Sequence, residues 1–212
     1  MNDILERLGK VGLVPVVKID RAEDAVPLAE ALLEGGLPCA EITFRTAAAP
    51  AAIKAIAGNC PDMLVGAGTV LTVAQAEQAV ASGARFVVSP GFSAAVVDWC
   101  LAHDTPVLPG VATPTDVMAA LEKGLRVLKF FPAEAYGGVN TLKALSAPFG
   151  GVKYMPTGGV SAKNMADYLA LPSVHAVGGS WMVEGKLISS GNFAEVTRLA
   201  AEAVALVRQA RP

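Results

Sequence analysis

One lysine lies inside an apolar run, a place where lysine is seldom found. Lys129 follows Val127 and Leu128 and precedes two phenylalanines, although lysine is almost never fully buried unless it has a partner. Because side chains alternate along a strand, Val127, Lys129 and Phe131 share one face. Burial there favours the neutral amine over the ammonium. A neutral amine is the nucleophile that Schiff-base chemistry with a ketone requires.

Two other lysines are weaker candidates for this chemistry. Lys153 stands at the beginning of its apolar run, and Lys18 is followed by Asp20 and Arg21, which indicates a more solvated setting. Structural interpretations of Lys129 also stay open at this point. Its stem could be buried while the ammonium reaches water, or the ammonium could form a salt bridge with an acid.

An acid and an arginine share one face of another apolar run. Between residues 40 and 46, the polar side chains of Glu41, Thr43 and Arg45 alternate with two apolar ones. The apolar pair suits a layer of helices, so the polar side chains would point to the opposite side, where burial without partners is costly. The functional interpretation is a general base beside an anion-binding arginine. The alternative is a Glu–Arg ion pair that only stabilises the fold.

Paired glycines follow the last two apolar runs. Gly158 and Gly159 come after Thr157, and a second pair at 178–179 precedes Ser180. Bare backbone N–H groups in such turns bind phosphate together with a helix N-terminus, and Ser180 could add a hydroxyl. The alternative is that the glycines only allow tight turns. Because both turns carry a pair, the sequence favours a phosphate site.

These side chains need a scaffold that brings distant segments together. Eight short apolar runs, typical of buried parallel strands, recur at intervals of 20 to 26 residues. They begin near Leu13, Pro38, Met63, Arg85, Pro106, Arg126, Val152 and Val174. Alanine-rich amphipathic segments between them, for example 25–33 and 94–102, predict helices. Eight strand–helix units indicate an α/β fold of the (β/α)8 TIM-barrel type with an extra N-terminal helix at 3–8.

In such barrels the functional residues lie at the carboxyl ends of the strands. Small residues after the middle runs, among them Thr69 and Pro90, leave room at the barrel mouth, and Thr69 could donate to a carboxylate. A doubly wound sheet is the alternative arrangement, but its nucleotide fingerprint is missing. Residues 66–68 begin like Gly-x-Gly-x-x-Gly, and Leu71 stands where the third glycine belongs.

Polar residues that commonly cap helices predict where several helices begin. They are Asp20, Thr72, Ser93, Thr115 and Ser161. Glycines after the helical segments, such as those at 35–36 and 83, predict where helices end. No linker rich in proline or serine interrupts the series, so we expect a single domain over residues 1–212.

Composition excludes several classes of partner. The 212 residues carry a net charge of −2 without a basic cluster, which speaks against nucleic acid. The longest stretch without charged residues, 168–183, is shorter than the ~20 residues that cross a bilayer, so no membrane partner is expected. Three cysteines without C-x-x-C spacing predict a reduced, cytoplasmic chain. His103 and His175 have no neighbouring ligand and are expected to be surface or packing residues, so no metal site is predicted.

Seven motifs carry a resemblance to one known family. They are Glu41-Ile42-Thr43-Phe44-Arg45-Thr46, Gly66-Ala67-Gly68-Thr69-Val70-Leu71, Ser89-Pro90-Gly91, Leu108-Pro109-Gly110, Lys129-Phe130-Phe131-Pro132-Ala133-Glu134, Pro156-Thr157-Gly158-Gly159 and Gly178-Gly179-Ser180-Trp181. They occur in family order over nearly the whole chain. Together they resemble the bacterial 2-dehydro-3-deoxy-phosphogluconate (KDPG) aldolases, also called 4-hydroxy-2-oxoglutarate (KHG) aldolases.

The resemblance implies a homotrimeric class I aldolase that needs no metal or other cofactor. Its substrate would be a phosphorylated 2-oxo sugar acid, 2-dehydro-3-deoxy-6-phospho-D-gluconate, which is cleaved to pyruvate and D-glyceraldehyde 3-phosphate, with 4-hydroxy-2-oxoglutarate as a further candidate. The resemblance assigns the Schiff base to Lys129 and proton transfer to Glu41. The binding residues that it implies are Arg45 and Thr69 for the pyruvate carboxylate, Gly158, Gly159 and Ser180 for the phosphate, and Pro90, Phe131 and Thr157 for the rest of the pocket.

Two departures from the family pattern bear on specificity. Ala112 stands where many members have serine, and Ala40 stands where leucine is common. One alternative function is therefore cleavage of the galactonate epimer, which differs at C4. A second is a phosphate-binding barrel isomerase, although such chemistry would not require the amine of Lys129. A third is an inactive barrel in which Lys129 and Glu41 form a structural pair.

Overall fold

The computed structural model describes residues 2–211 as alternating strands and helices. The α-helices are α1 (Asn2–Val11), α2 (Ala25–Glu34), α3 (Ala49–Asn59), α4 (Val73–Ala81), α5 (Ala94–Ala102), α6 (Pro114–Glu122), α7 (Gly138–Ser146), α8 (Met165–Leu169), α9 (Gly185–Ser189) and α10 (Phe193–Ala210). The strands are β1 (Leu13–Val17), β2 (Cys39–Thr43), β3 (Leu64–Gly68), β4 (Val87–Val88), β5 (Val107–Leu108), β6 (Gly110–Val111), β7 (Val127–Phe130), β8 (Lys153–Pro156) and β9 (Val177–Gly179). Short 3-10 helices occupy Ala22–Asp24, Glu134–Tyr136 and Trp181–Val183. The predicted α/β class and the extra N-terminal helix are confirmed.

The strands pair in parallel throughout the two sheets. Six form a sheet in the order β5-β4-β3-β2-β1-β9, and three form a second in the order β6-β7-β8. Only Pro109 separates β5 from β6, and its carbonyl still accepts from the Lys129 amide at 2.9 Å. At the other side of the second sheet, isolated parallel bridges join Tyr154 to Val174 and Thr157 to Gly178. The two sheets therefore adjoin at Pro109 and again at these bridges.

Two apolar clusters occupy opposite faces of the strands. The larger cluster lies between strands and helices and contains, for example, Leu13 and Ile42. The smaller one lines the inner face with residues such as Val14 and Met155. Helix α1 packs onto this inner cluster and adds the side chain of Leu8, which is fully buried. The N-terminal helix thus covers apolar strand surface that would otherwise face water.

Some of the predicted helix starts are confirmed. Thr72 caps α4, since its side chain accepts from the Gln75 amide, and Ser93 caps α5 in the same way. For α6 the predicted Thr115 is wrong. Thr113 is the N-cap there and forms a capping box with Asp116. The helix begins earlier because its first position, directly after Thr113, tolerates proline. The N–H that proline lacks would have no partner in the first turn of a helix.

Two further starts were predicted too early. Asp20 pairs with Lys18 at 2.7 Å, and the 3-10 turn that follows delays α2 until Ala25. Asp24 stands at the N-cap position, but its carboxylate accepts from Arg21 and does not cap the helix. The amide N–H of Ser161 donates to the Asn164 side chain at 2.8 Å. Residues 161–164 therefore form a turn that precedes α8. Helix α9 was missed because five residues are too few to show a helical period. Within residues 2–211 no helix has the length and apolar character of a membrane span.

The capping box of α6 yields a test of helix stability. Thr113→Ala is expected to lower the free energy of unfolding by about 1 kcal/mol, because the amide of Asp116 loses its acceptor. Thr115→Ala is the matched control, and it should leave stability unchanged because Thr115 lies exposed inside the helix. Chemical denaturation with both variants measures the difference. A larger loss for Thr115→Ala than for Thr113→Ala would contradict the assignment.

Candidate active site

A cavity of about 250 Å³ opens at the carboxyl ends of the strands. Nine of the ten residues predicted for the site line it: Arg45, Thr69, Pro90, Lys129, Phe131, Thr157, Gly158, Gly159 and Ser180. The tenth, Glu41, is fully buried beneath the cavity wall and contacts Lys129. Segments that are far apart in sequence therefore converge on one space, as expected for side chains at the carboxyl ends of parallel strands.

Lys129 and Glu41 form a buried pair of opposite charges. The Lys129 Nζ lies 3.3 Å from the Glu41 Oε1, and the two side chains are 5% and 0% exposed. The second carboxylate oxygen, Oε2, is buried without a hydrogen-bond partner among the described residues. The Lys129 Nζ also lies 5.2 Å from the ring centre of Phe131. The amine and the carboxylate are therefore close enough for a hydrogen bond and largely shielded from bulk solvent.

The other two lysines face solvent. Lys18 Nζ binds Asp20 at 2.7 Å with about half of its side chain exposed, and Lys153 donates to the carbonyl of Pro172 at 2.6 Å. Neither lines the cavity. The expectation that Lys129 alone of the three is enclosed is confirmed.

Glycines in β3 make room for the buried acid. In the parallel register Glu41 lies beside Gly66, and Thr43 lies beside Gly68. A Cβ on Gly68 would overlap the Glu41 carboxylate, and one on Gly66 would overlap the ring of Phe86. The Gly-x-Gly of β3 is therefore explained by these two close approaches, and not by nucleotide binding.

Arg45 is held by a threonine rather than by an acid. Thr43 is buried and donates to the carbonyl of Val17 at 2.7 Å, and its hydroxyl oxygen accepts from the Arg45 Nε at 3.0 Å. No carboxylate of residues 2–211 lies within salt-bridge distance of Arg45. The alternative of a Glu–Arg ion pair is therefore wrong, and the guanidinium is free to bind an anion in the cavity.

Thr69 adopts a strained backbone conformation at the cavity. Its φ of +55° lies in the left-handed region, which is rare for a β-branched residue. Such a conformation costs on the order of 1–3 kcal/mol and occurs preferentially at functional sites. The strained residue is thus the one for which the sequence analysis predicted a contact with the substrate carboxylate.

The glycine pair 158–159 forms a loop whose N–H groups are unused. Gly158 and Gly159 have φ values of +96° and +83°. Their carbonyls accept from the Glu134 amide at 3.0 Å and from the Asn164 side chain at 3.1 Å. Neither glycine N–H donates to another residue within 2–211. Successive free N–H groups of this kind form an anion-binding concavity, and Ser180 lines the same cavity.

The sequence-based set omitted several residues of this wall. Thr43, Val16, Val160 and the pair 178–179 also line the cavity. The alternation with Glu41 and Arg45 was a signal for Thr43, and the pair 178–179 was counted as part of the phosphate signal although only Gly158, Gly159 and Ser180 were assigned as phosphate ligands. Valines in strands carry no chemical signal, so Val16 and Val160 could not have been found.

The remaining reactive side chains lie elsewhere. All three cysteines are buried, and burial raises the pKa of Cys39 to about 12 and that of Cys100 to about 11. His103 stacks on Trp99, and His175 contacts the carbonyl of Leu5 at 2.7 Å, as expected for packing residues. Among residues 2–211 no three His, Cys, Asp or Glu side chains are grouped so that they could hold a metal ion.

Sequence comparison connects this geometry with known proteins. The sequence model of the family described as "KDPG and KHG aldolase" matches residues 4–199. The 2-dehydro-3-deoxy-phosphogluconate aldolase of Treponema pallidum is 52% identical over 207 residues, which cover 98% of this chain and 99% of that protein.

Solved structures agree with the sequence comparison. The KDPG aldolase of Legionella pneumophila, with pyruvate captured at low pH as a covalent carbinolamine intermediate, has a TM-score of 0.89 and 44% identity, covering 92% of this chain and 97% of its own. The 2-keto-3-deoxy-6-phosphogluconate aldolase of Zymomonas mobilis ZM4, with 3-phosphoglycerate, has a TM-score of 0.89 and 43% identity, covering 97% of both chains. The chain belongs to the KDPG and KHG aldolase family.

Proposed function

We propose that this protein is a class I aldolase that cleaves 2-dehydro-3-deoxy-6-phospho-D-gluconate to pyruvate and D-glyceraldehyde 3-phosphate, and that 4-hydroxy-2-oxoglutarate is a further substrate. The observation that carries the proposal is the buried amine of Lys129, 3.3 Å from the carboxylate of Glu41, on the wall of the cavity. An enclosed amine beside a proton acceptor is the arrangement that Schiff-base catalysis needs.

The reaction begins when Lys129 transfers a proton to Glu41. The neutral Nζ then attacks the C2 carbonyl carbon, and the carbonyl oxygen takes up a proton to give a carbinolamine. A second proton transfer releases this oxygen as water and leaves a protonated imine. Glu41 is the nearest acid/base in the described part of the chain, and its unpartnered Oε2 is free to receive protons.

Carbon–carbon cleavage uses the imine as an electron sink. Glu41 accepts the proton of the C4 hydroxyl, directly or through a water. The electrons of the C3–C4 bond then move toward the imine nitrogen, which releases the aldehyde and leaves an enamine. Protonation at C3 by Glu41 restores an imine, and its hydrolysis yields pyruvate and the free amine of Lys129.

The two charged ends of the substrate bind at opposite sides of Lys129. Arg45 and Thr69 receive the pyruvate carboxylate, with the guanidinium oriented by the buried hydroxyl of Thr43. The phosphate binds the unused N–H groups of the loop 158–159 and the hydroxyl of Ser180. Fixed donors of this kind need no reorganisation when substrate arrives. Pro90, Phe131 and Thr157 line the space between the two ends.

The proposal includes closure of the strands into a barrel, the single domain, the oligomeric state and the location. The nine strands close into a (β/α)8 barrel over a single domain of residues 1–212, which is supported by the shared strand around Pro109 and by the bridges at Tyr154 and Thr157. Homotrimer assembly and a cytoplasmic location complete the proposal. Their support is the family resemblance and, for the location, the three free cysteines.

Trapping of the imine tests the central assignment. Incubation with pyruvate and borohydride, followed by peptide mapping, is expected to add mass to the peptide that contains Lys129, because among residues 2–211 it is the one lysine that lines the cavity. Lys129→Met should abolish the adduct, and Lys18→Met should leave it in place. An adduct on Lys18 or Lys153 would overturn the assignment. The absence of any adduct would favour the isomerase or the inactive barrel.

The acid/base role of Glu41 has a separate test. Glu41→Gln is expected to lower kcat by about 100-fold or more, as is typical for loss of a positioned acid/base. Borohydride trapping with pyruvate at long incubation should still label Lys129, which distinguishes loss of proton transfer from loss of the amine. Circular dichroism checks that the variant is folded. Unchanged turnover would refute the role.

Stereochemistry at C4 separates the gluconate substrate from its galactonate epimer. We expect kcat/KM for the gluconate form to exceed that for the galactonate form by at least about tenfold, which corresponds to ~1.4 kcal/mol of differential transition-state binding. Coupled reduction of released pyruvate measures both rates. Equal rates, or a preference for galactonate, would contradict the stated substrate.

A further inference from the structure

Two fully buried tyrosines differ in what their hydroxyls contact. Tyr154 on β8 has no hydrogen-bond partner for its hydroxyl within the described residues, whereas Tyr168 on α8 donates to the carboxylate of Glu134. Burial, together with the hydrogen bond to Glu134, raises the pKa of Tyr168 above its usual value, so the phenol remains a donor at neutral pH. The catalytic steps described above use neither Tyr168 nor Glu134.

Glu134 is joined to the phosphate loop through both backbone and side chain. Its amide donates to the carbonyl of Gly158 at 3.0 Å, and the preceding amide of Ala133 donates to the carbonyl of Thr157 at 2.8 Å. A Cβ added to Gly159 would lie 2.5 Å from the Cβ and Cγ of Glu134. The aliphatic part of Glu134 therefore packs directly against Gly159.

Two residues hold the loop while its donors stay free. Besides Glu134, the Asn164 side chain donates to the carbonyl of Gly159 at 3.1 Å. Both glycine carbonyls are thus engaged, and the two N–H groups remain for an anion. Because glycine has the widest conformational freedom of any residue, the loop keeps this orientation only as long as its neighbours hold it.

We propose that Glu134 and Tyr168 act together as positioning residues for substrate phosphate. Tyr168, anchored in the core on α8, fixes the Glu134 side chain, and Glu134 fixes the loop 158–159 with its N–H groups toward the cavity. This inference rests on the proposed function, because it assumes that the loop binds the phosphate. Glu134 is not among the residues that line the cavity, so it acts through the loop and not on the substrate itself.

The chemistry of the pair determines which substitutions should matter. Tyr168→Phe removes the donor, and Glu134→Ala removes both the acceptor and the packing on Gly159. Glu134→Gln keeps the length of the side chain and an oxygen that accepts from Tyr168. It should therefore retain the position of the loop although the charge is removed. Tyr154→Phe is the matched control, since it removes a buried phenol hydroxyl that has no partner.

The experiment measures kcat and KM with one phosphorylated and one unphosphorylated substrate. With 2-dehydro-3-deoxy-6-phosphogluconate, Tyr168→Phe and Glu134→Ala are expected to raise KM by about three- to tenfold, the effect of weakening one or two hydrogen bonds to the phosphate. With 4-hydroxy-2-oxoglutarate, which has no phosphate, KM should change less than twofold. Glu134→Gln and Tyr154→Phe should match the wild type on both substrates.

Coupling between the two residues gives a second readout. If they act as a unit, the double variant Glu134→Ala/Tyr168→Phe should raise KM for the phosphorylated substrate no more than the larger single effect. Equal increases of KM with both substrates would indicate general structural damage and overturn the inference, as would an unchanged KM in both single variants. A wild type that cleaves neither substrate would instead refute the proposed function, so the two failures are distinguishable.

Discussion

A buried pair of opposite charges is the constraint on which the rest of the structure depends. Glu41 on β2 and Lys129 on β7 are 88 residues apart in sequence, and their side chains are almost completely buried. Removing an ion from water costs several kcal/mol even after relaxation, and loss of one partner of such a pair costs about 3–5 kcal/mol. Each charge is therefore tolerated because the other is held beside it. The pairing of β2 and β7 side chains is therefore a requirement of stability, and the catalytic proposal depends on the same contact.

Space for this pair comes from the neighbouring strand. Gly68 leaves room for the Glu41 carboxylate, and Gly66 leaves room for the ring of Phe86, which belongs to the apolar inner cluster that α1 covers. The inner face is thus divided into an apolar part beneath and a polar part above. The buried pair of Glu41 and Lys129 belongs to the polar part.

Backbone groups orient most of the binding surface. The hydroxyl of Thr43 is fixed by the carbonyl of Val17 and in turn fixes Arg45. In the loop 158–159, the carbonyls of both glycines accept hydrogen bonds, whereas their N–H groups donate to no residue within 2–211. Donors fixed in this way act without first being ordered, which is the physical basis of preorganised binding.

The sequence by itself determined the period of strands and helices and the anomaly of Lys129, because apolar spacing and a lysine in an apolar run are local properties. Helix α5 begins and ends at its predicted residues, whereas α6 begins before Thr115 because a proline tolerated in the first turn extends it. Only the tertiary structure decided that Glu41 pairs with Lys129 and not with Arg45, and that Glu134 meets Tyr168. The choice of partner depends on distances between strands and helices that are remote in sequence. The spacing of residues along the chain does not determine those distances.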